Sequence, residues 1–126
     1  MAAREGTGWF TVDSDRSMSR LAGSGRHNPG DIQVRVVTLD GMVERGEVPP
    51  PMVVKCDVED AELDVLRGAE ALLRAHHPAI LLDTHSESGQ MACCRFLSDL
   101  GYRLTMLDGL PQRESGELLA VWRERK

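Results

Sequence analysis

Two pairs of ionisable residues stand two positions apart at the ends of short apolar runs. Lys55 and Asp57 close the run Met52-Val53-Val54, and Asp83 and His85 close the run Ala79-Ile80-Leu81-Leu82. Alternate residues of a strand point to one side, so each pair delivers two functional groups to a single place. A carboxylate there can hold a hydroxyl or amine of a small molecule or take its proton, with Lys55 keeping Asp57 ionised. His85 is suited to general-base work near neutral pH. The plainer alternatives are that Lys55 and Asp57 form an ion pair that orients a loop, and that His85 bonds a loop carbonyl. Glu59 and Glu62 follow Asp57 closely, and both are expected at the same edge. Carboxylates with one histidine also suit a divalent metal, but no tight HxxxH spacing is present and no metal ligands are assigned.

These residues need elements that bring them together. Both apolar runs are short and continuous, the pattern of strands buried on two faces. About twenty residues separate them, enough for a helical crossover that keeps the strands parallel. In open sheets of this kind ligands bind beyond the carboxyl ends of the strands, which is where Asp57, Glu59, Glu62, Asp83 and His85 would gather. From about Asp60 to His76 the apolar positions Leu66, Ala69, Leu72 and Leu73 recur three and four apart, predicting one helix that Pro78 has ended. Glu62 begins the stripe 62, 66, 69, 73 on that helix. Either it favours the helix N-terminus and pairs with Lys55 or an arginine, or it enters the ligand crevice.

Residues 1–31 are rich in Gly, Ser, Arg and Asp, and read as a loop-rich segment with a single strand at Trp9 to Val12. Ile32 to Leu39 reads as a strand ending at Asp40. A second helix is predicted over Ser88 to Leu100, followed by strands at Tyr102 to Leu107 and Leu118 to Trp122 joined as a loose antiparallel pair. His76 and His77 at a helix end are assigned structural work, and the adjacent Cys93 and Cys94 a place in the core. The Gly6-x-Gly8 and Gly23-x-Gly25 triplets lack the strand and helix context of a nucleotide loop.

The 126 residues fit one domain able to bury a core without disulfides. Three cysteines, two of them adjacent, fit neither a disulfide framework nor a spaced zinc motif, so a reducing cytoplasm is the expected location. A net charge of -5 without a basic stripe argues against nucleic acid, and no apolar run approaches a membrane span. Thirteen arginines accompany two lysines, leaving Lys55 as the one internal lysine.

Read together, Val36-Val37-Thr38-Leu39-Asp40, Val54-Lys55-Cys56-Asp57-Val58-Glu59-Asp60-Ala61-Glu62, Val65-Leu66-Arg67-Gly68-Ala69, Pro78-Ala79-Ile80-Leu81-Leu82 and Gly101-Tyr102 resemble the FkbM family of S-adenosylmethionine-dependent methyltransferases. The resemblance spans roughly residues 32 to 123. It implies an α/β fold: part of a Rossmann-like, class I methyltransferase three-layer arrangement, with a mostly parallel sheet and an antiparallel C-terminal strand. It also implies methyl transfer to oxygen on a sugar or natural product. By position, Lys55, Asp57, Glu59 and Glu62 fall on the family's turn motif, and His85 falls where relatives carry an acid or histidine. Asp57 and Val58 would line the cofactor.

Two departures stand out. Asp60 occupies a position where the family usually has glycine, and no glycine-rich strand-turn-helix precedes the motif. Residues 32–126 therefore read as the C-terminal half of a methyltransferase domain, lacking the cofactor-binding half. Such a half-sheet exposes an edge, so the chain should form a homodimer, find a partner chain, or fold poorly. Competing readings are a non-catalytic remnant that acts through a partner, and a small metal-dependent hydrolase using the same acidic rim.

Overall fold

The computed structural model describes residues 3–12, 20–21, 28–58, 61–107 and 116–124. Its centre is a sheet of four strands, β4 (Val53–Asp57), β5 (Ala79–Asp83), β6 (Tyr102–Met106) and β7 (Glu117–Trp122), in the order β4-β5-β7-β6. β4 and β5 are parallel, as the crossover between them requires, and β7 runs antiparallel to both β5 and β6. The fold is thus mixed α/β, mostly parallel with one antiparallel strand at the C-terminus, as expected. β7 enters between β5 and β6, so the last two strands do form an antiparallel pair.

Register decides which side chains share a face. Cys56, Leu82 and Leu118 lie in one row, with Ile80 and Ala120 in the next; all five are buried. They join Val65, Leu66, Leu72, Leu73, Cys93 and Leu97 from the helices in one core. On the opposite face Val53, Lys55 and Asp57 of β4 are exposed and Leu81 and Asp83 are half-buried. The strands were expected to be covered on both faces; among the described residues only the helix-bearing face is sealed.

The crossover from β4 to β5 is two helices, α2 (Glu62–Arg67) and α3 (Glu70–His76), where the apolar spacing predicted one. The break has a physical cause. Asp40 reaches in from α1 (Leu39–Glu44), and its carboxylate accepts hydrogen bonds from Ala71 N (3.0 Å) and Leu72 N (2.8 Å), capping a fresh helix N-terminus. The stripe still packs inward: Glu62, Leu66, Ala69 and Leu73 are all buried. At its other end α3 closes on His77 in the left-handed conformation, whose ring stacks on Trp122 at 3.7 Å. That contact is the structural use expected of His77.

Helix α4 (Glu87–Asp99) matches the second predicted helix, started by Ser86, whose hydroxyl accepts from Gly89 N. Upstream the chain differs from expectation. Ile32 to Leu39 does not continue as one strand, because β3 stops at Val36 and Thr38 caps α1. β3 (Ile32–Val36) pairs antiparallel with β1 (Gly6–Thr11), which also pairs with β2 (Arg20–Leu21). The N-terminal segment therefore contributes strands to a second sheet; its many polar residues hid pairing that becomes visible only with the partner strand in place. Glu5 fastens this sheet to α1 through Arg45 (2.8 Å), which holds the Glu5 carboxyl below its ordinary range.

Candidate functional site

The carboxyl ends of β4 and β5 bring their acids side by side. Asp57 pairs in register with Asp83, and Asp83 with Glu117 of β7, so three carboxylates form a row across three strands on the open face. Lys55 stands one row behind Asp57, opposite Leu81. Together Lys55, Asp57, Asp83, Glu117, Leu81 and Leu107 line a hollow of about 250 Å³. The expected ion pair between Lys55 and Asp57 is not made: the two share a side, but no ion pair of Lys55 forms among the described residues.

Glu62 is the first residue of α2, at the helix N-terminus as one of its two expectations had it. Its side chain is only 4% exposed and bonds neither Lys55 nor an arginine; His85 Nδ1 lies 2.7 Å from its Oε1. A carboxylate accepts hydrogen bonds, so with Glu62 ionised Nδ1–H is the donor of this contact and Nε2 is the nitrogen turned toward Asp57. That second nitrogen lies 3.4 Å from Asp57 Oδ1. His85, with its side chain 27% exposed, thus links the buried Glu62 to the solvent-facing Asp57. The alternative in which His85 merely serves a loop carbonyl does not describe this geometry. On the helix side, Glu62 also lines a groove of about 540 Å³ with Leu63, Asp64, Ser86, Ser88, Gly89 and Ala92, between the starts of α2 and α4.

The segment leading out of β5 is held tightly. Thr84 N and Thr84 Oγ1 both donate to Gly116 O, at 2.8 and 3.1 Å. A Cβ on residue 116 would meet Thr84 O at 2.7 Å and Asp83 Oδ1 at 3.1 Å, so the close approach that sets Asp83 and His85 requires glycine.

Of the residues singled out in the sequence, Lys55, Asp57, Glu62, Asp83 and His85 are gathered at one end of the sheet, and half-buried Val58 follows Asp57. Glu59 and Asp60 lie outside the described residues. Glu117 was missed; the one signal for it was a position at the start of a strand, informative only once β7 is known to lie beside β5.

Comparison with known proteins follows this geometry. Residues 3–104 match the methyltransferase FkbM domain. The chain belongs to the FkbM methyltransferase family. The match begins upstream of residue 32, where the sequence resemblance starts, and so takes in β1 and β3 of the N-terminal sheet. Over 84 residues the chain is 33% identical to a protein named hexuronic acid methyltransferase AglP from Haloferax volcanii, an alignment covering 64% of this chain and 35% of that protein. The chain thus spans about a third of the length of this curated relative. No solved structure matches the chain.

Within this FkbM chain the three cysteines are free thiols buried in the core. Burial pushes the Cys56 thiol up to about 11 and the Cys93 thiol up to about 12, with the Glu62 carboxylate adding to both shifts. Both are protonated near neutral pH and act as small apolar core groups. Among the described residues, no helix is long and apolar enough to cross a membrane.

Proposed function

We propose that this chain carries the acceptor side of an S-adenosylmethionine-dependent O-methyltransferase, acting on a sugar hydroxyl. The observation that carries the reading is the Glu62–His85–Asp57 chain at the ends of β4 and β5, on a family match that covers most of the sequence. S-adenosylmethionine, when bound, supplies a methyl group on a cationic sulfur. The three neighbouring carboxylates of the open face, with Asp57 and Val58 at the tip of β4, support this reading as negative charge that favours a cationic group.

For the acceptor, proximity and proton removal are the tasks the protein must perform. Asp57, with its side chain 48% exposed, faces the hollow and takes the proton of the acceptor hydroxyl. His85 stands beside Asp57, and Glu62 holds the ring orientation of His85. The relative's name supports a hexuronic acid as the acceptor. Lys55 in the same hollow is the group to hold the uronate carboxylate, which an uncharged hexose lacks.

β4 pairs with β5 on one side only among the described residues, and Val53 is 57% exposed on that strand. This supports a further strand along β4's outer edge, from a second copy of the chain, completing the cofactor surface. The test is transfer of a labelled methyl group from S-adenosylmethionine to an oligosaccharide ending in a hexuronic acid, with the matching hexose oligosaccharide as control. Label in the uronic acid sugar, lost with Asp57→Ala, is the expected result. No label in any saccharide, from folded protein, would remove the reading.

A further inference from the structure

Asp57, Asp83 and His85 each bring one donor atom to a common point, two carboxylate oxygens and an imidazole nitrogen all within 4.8 Å of one another. We propose that these three residues bind a divalent metal ion, with Glu62 as the buried partner that orients the histidine. What the ion does there rests on the methyltransferase reading; whether it binds does not.

Four features converge on an ion. First, the spacing is close to that of a shared ligand sphere. Donors held at about 2.1 Å from one ion stand about 3.0 Å apart when adjacent and about 4.2 Å when opposite, so the widest pair must close by at least about 0.6 Å. The 3.4 Å between His85 Nε2 and Asp57 Oδ1 already lies inside that span. Second, the histidine is set up as metal-binding histidines are. Its Nδ1–H is engaged by a carboxylate, here Glu62 at 2.7 Å, which leaves Nε2 to donate its lone pair toward the two aspartates. A nearly fully buried carboxylate whose described ion pair is to this ring is otherwise a costly feature.

Third, Asp57 and Asp83 stand side by side in register at the strand ends, like charges that a bound cation would offset. Fourth, the donors border the hollow on the open face, so positions on the ion remain for oxygens of an acceptor. Two carboxylates and one imidazole favour a first-row divalent transition ion, for which Mn²⁺ is a spectroscopically visible probe, over Ca²⁺, which takes oxygen donors. Such an ion would coordinate the acceptor hydroxyl and make its proton easier to remove, with the unligated oxygen of Asp57 left to accept it.

The test is a titration of the chelator-treated full chain with MnCl₂, followed by calorimetry and by loss of the free Mn²⁺ electron paramagnetic resonance signal. The expected result is saturable binding of one ion per chain. Asp83→Asn and His85→Ala should each weaken it at least roughly tenfold, and Glu62→Gln roughly tenfold, since it touches only the orientation of the histidine. Far-ultraviolet circular dichroism checks the fold of each variant, and the near-isosteric Asp57→Asn replaces His85→Ala if that variant unfolds. Folded wild-type protein that takes up no Mn²⁺, or uptake that all the variants leave unchanged, would overturn the site. S-adenosylmethionine is titrated into the same samples. Cofactor binding without Mn²⁺ uptake overturns the metal site alone, whereas Mn²⁺ uptake without cofactor binding upholds it and overturns the methyltransferase reading.

Discussion

Removing the imidazole of His85 should cost more than neutralising Glu62, although Glu62 is the more deeply buried of the two. The pair is short, at 2.7 Å, with the carboxylate 4% exposed and the imidazole 27% exposed. His85→Ala deletes a hydrogen bond to a charged group, about 1.5–3 kcal/mol, and leaves a carboxylate without this partner in the core. A fully sealed pair would lose about 3–5 kcal/mol, but Glu62 borders an open groove through which water can reach it. The expected loss is therefore about 2–3 kcal/mol. Glu62→Gln keeps a neutral acceptor in the same place and should cost about 1 kcal/mol. Glu62→Leu combined with His85→Ala removes both partners, so its cost should fall short of the sum of the single changes by about 1.5–3 kcal/mol. Urea unfolding reads these values directly, since about 2 kcal/mol moves the midpoint by roughly 1 M at a typical slope. Additivity within about 0.5 kcal/mol, or a milder effect for His85→Ala than for Glu62→Gln, would refute the reasoning.

Other consequences are as specific. Asp40→Ala strips the cap from α3 and should lower stability by about 1–2 kcal/mol in urea unfolding, with Asp40→Asn milder because its amide oxygen still accepts. Gly116→Ala drives a methyl group against Thr84 O and should cost about 1–3 kcal/mol by the same assay, weakening Mn²⁺ uptake as Asp83 shifts. The buried thiols set an alkaline limit. Cys56 keeps its proton up to about 11 when folded but releases it near 9.0 when unfolded, so the folded state binds more protons between these values. Stability is full below pH 9.0 and falls as pH rises through about 11, which urea midpoints on either side of that window will show. At neutral pH a thiol reagent should leave Cys56 and Cys93 unmodified until denaturant is added, as absorbance of the released thiolate will report.

The sheet was legible in the sequence because its signals are local. Short apolar runs at Val53 to Asp57 and Ala79 to Asp83 and a helical stripe between them leave few other arrangements. The gathering of Asp57, Glu62, Asp83 and His85 followed from parity along the strands and position on the helix. What could not be read depends on partners distant in sequence. Asp40 splits the crossover helix from thirty-one residues away, and Glu117 joins the acidic row only because β7 inserts beside β5. Glu62 offered two partners by proximity, Lys55 and arginine, and took neither, because the packing of α2 aims it at the end of β5. In the N-terminal sheet the strands at Trp9 and Ile32 were legible, but β2 and the pairing among the three were obscured by glycine and polar residues.

The central claim, that the acidic end of β4 and β5 serves S-adenosylmethionine-dependent methyl transfer, is tested most directly by calorimetric titration of the purified chain with that cofactor. The same titration is made on Asp57→Ala, with oligomeric state recorded alongside. Saturable binding that the substitution weakens is the expected result. An absence of heat from protein shown to be folded, or binding indifferent to Asp57, would contradict it.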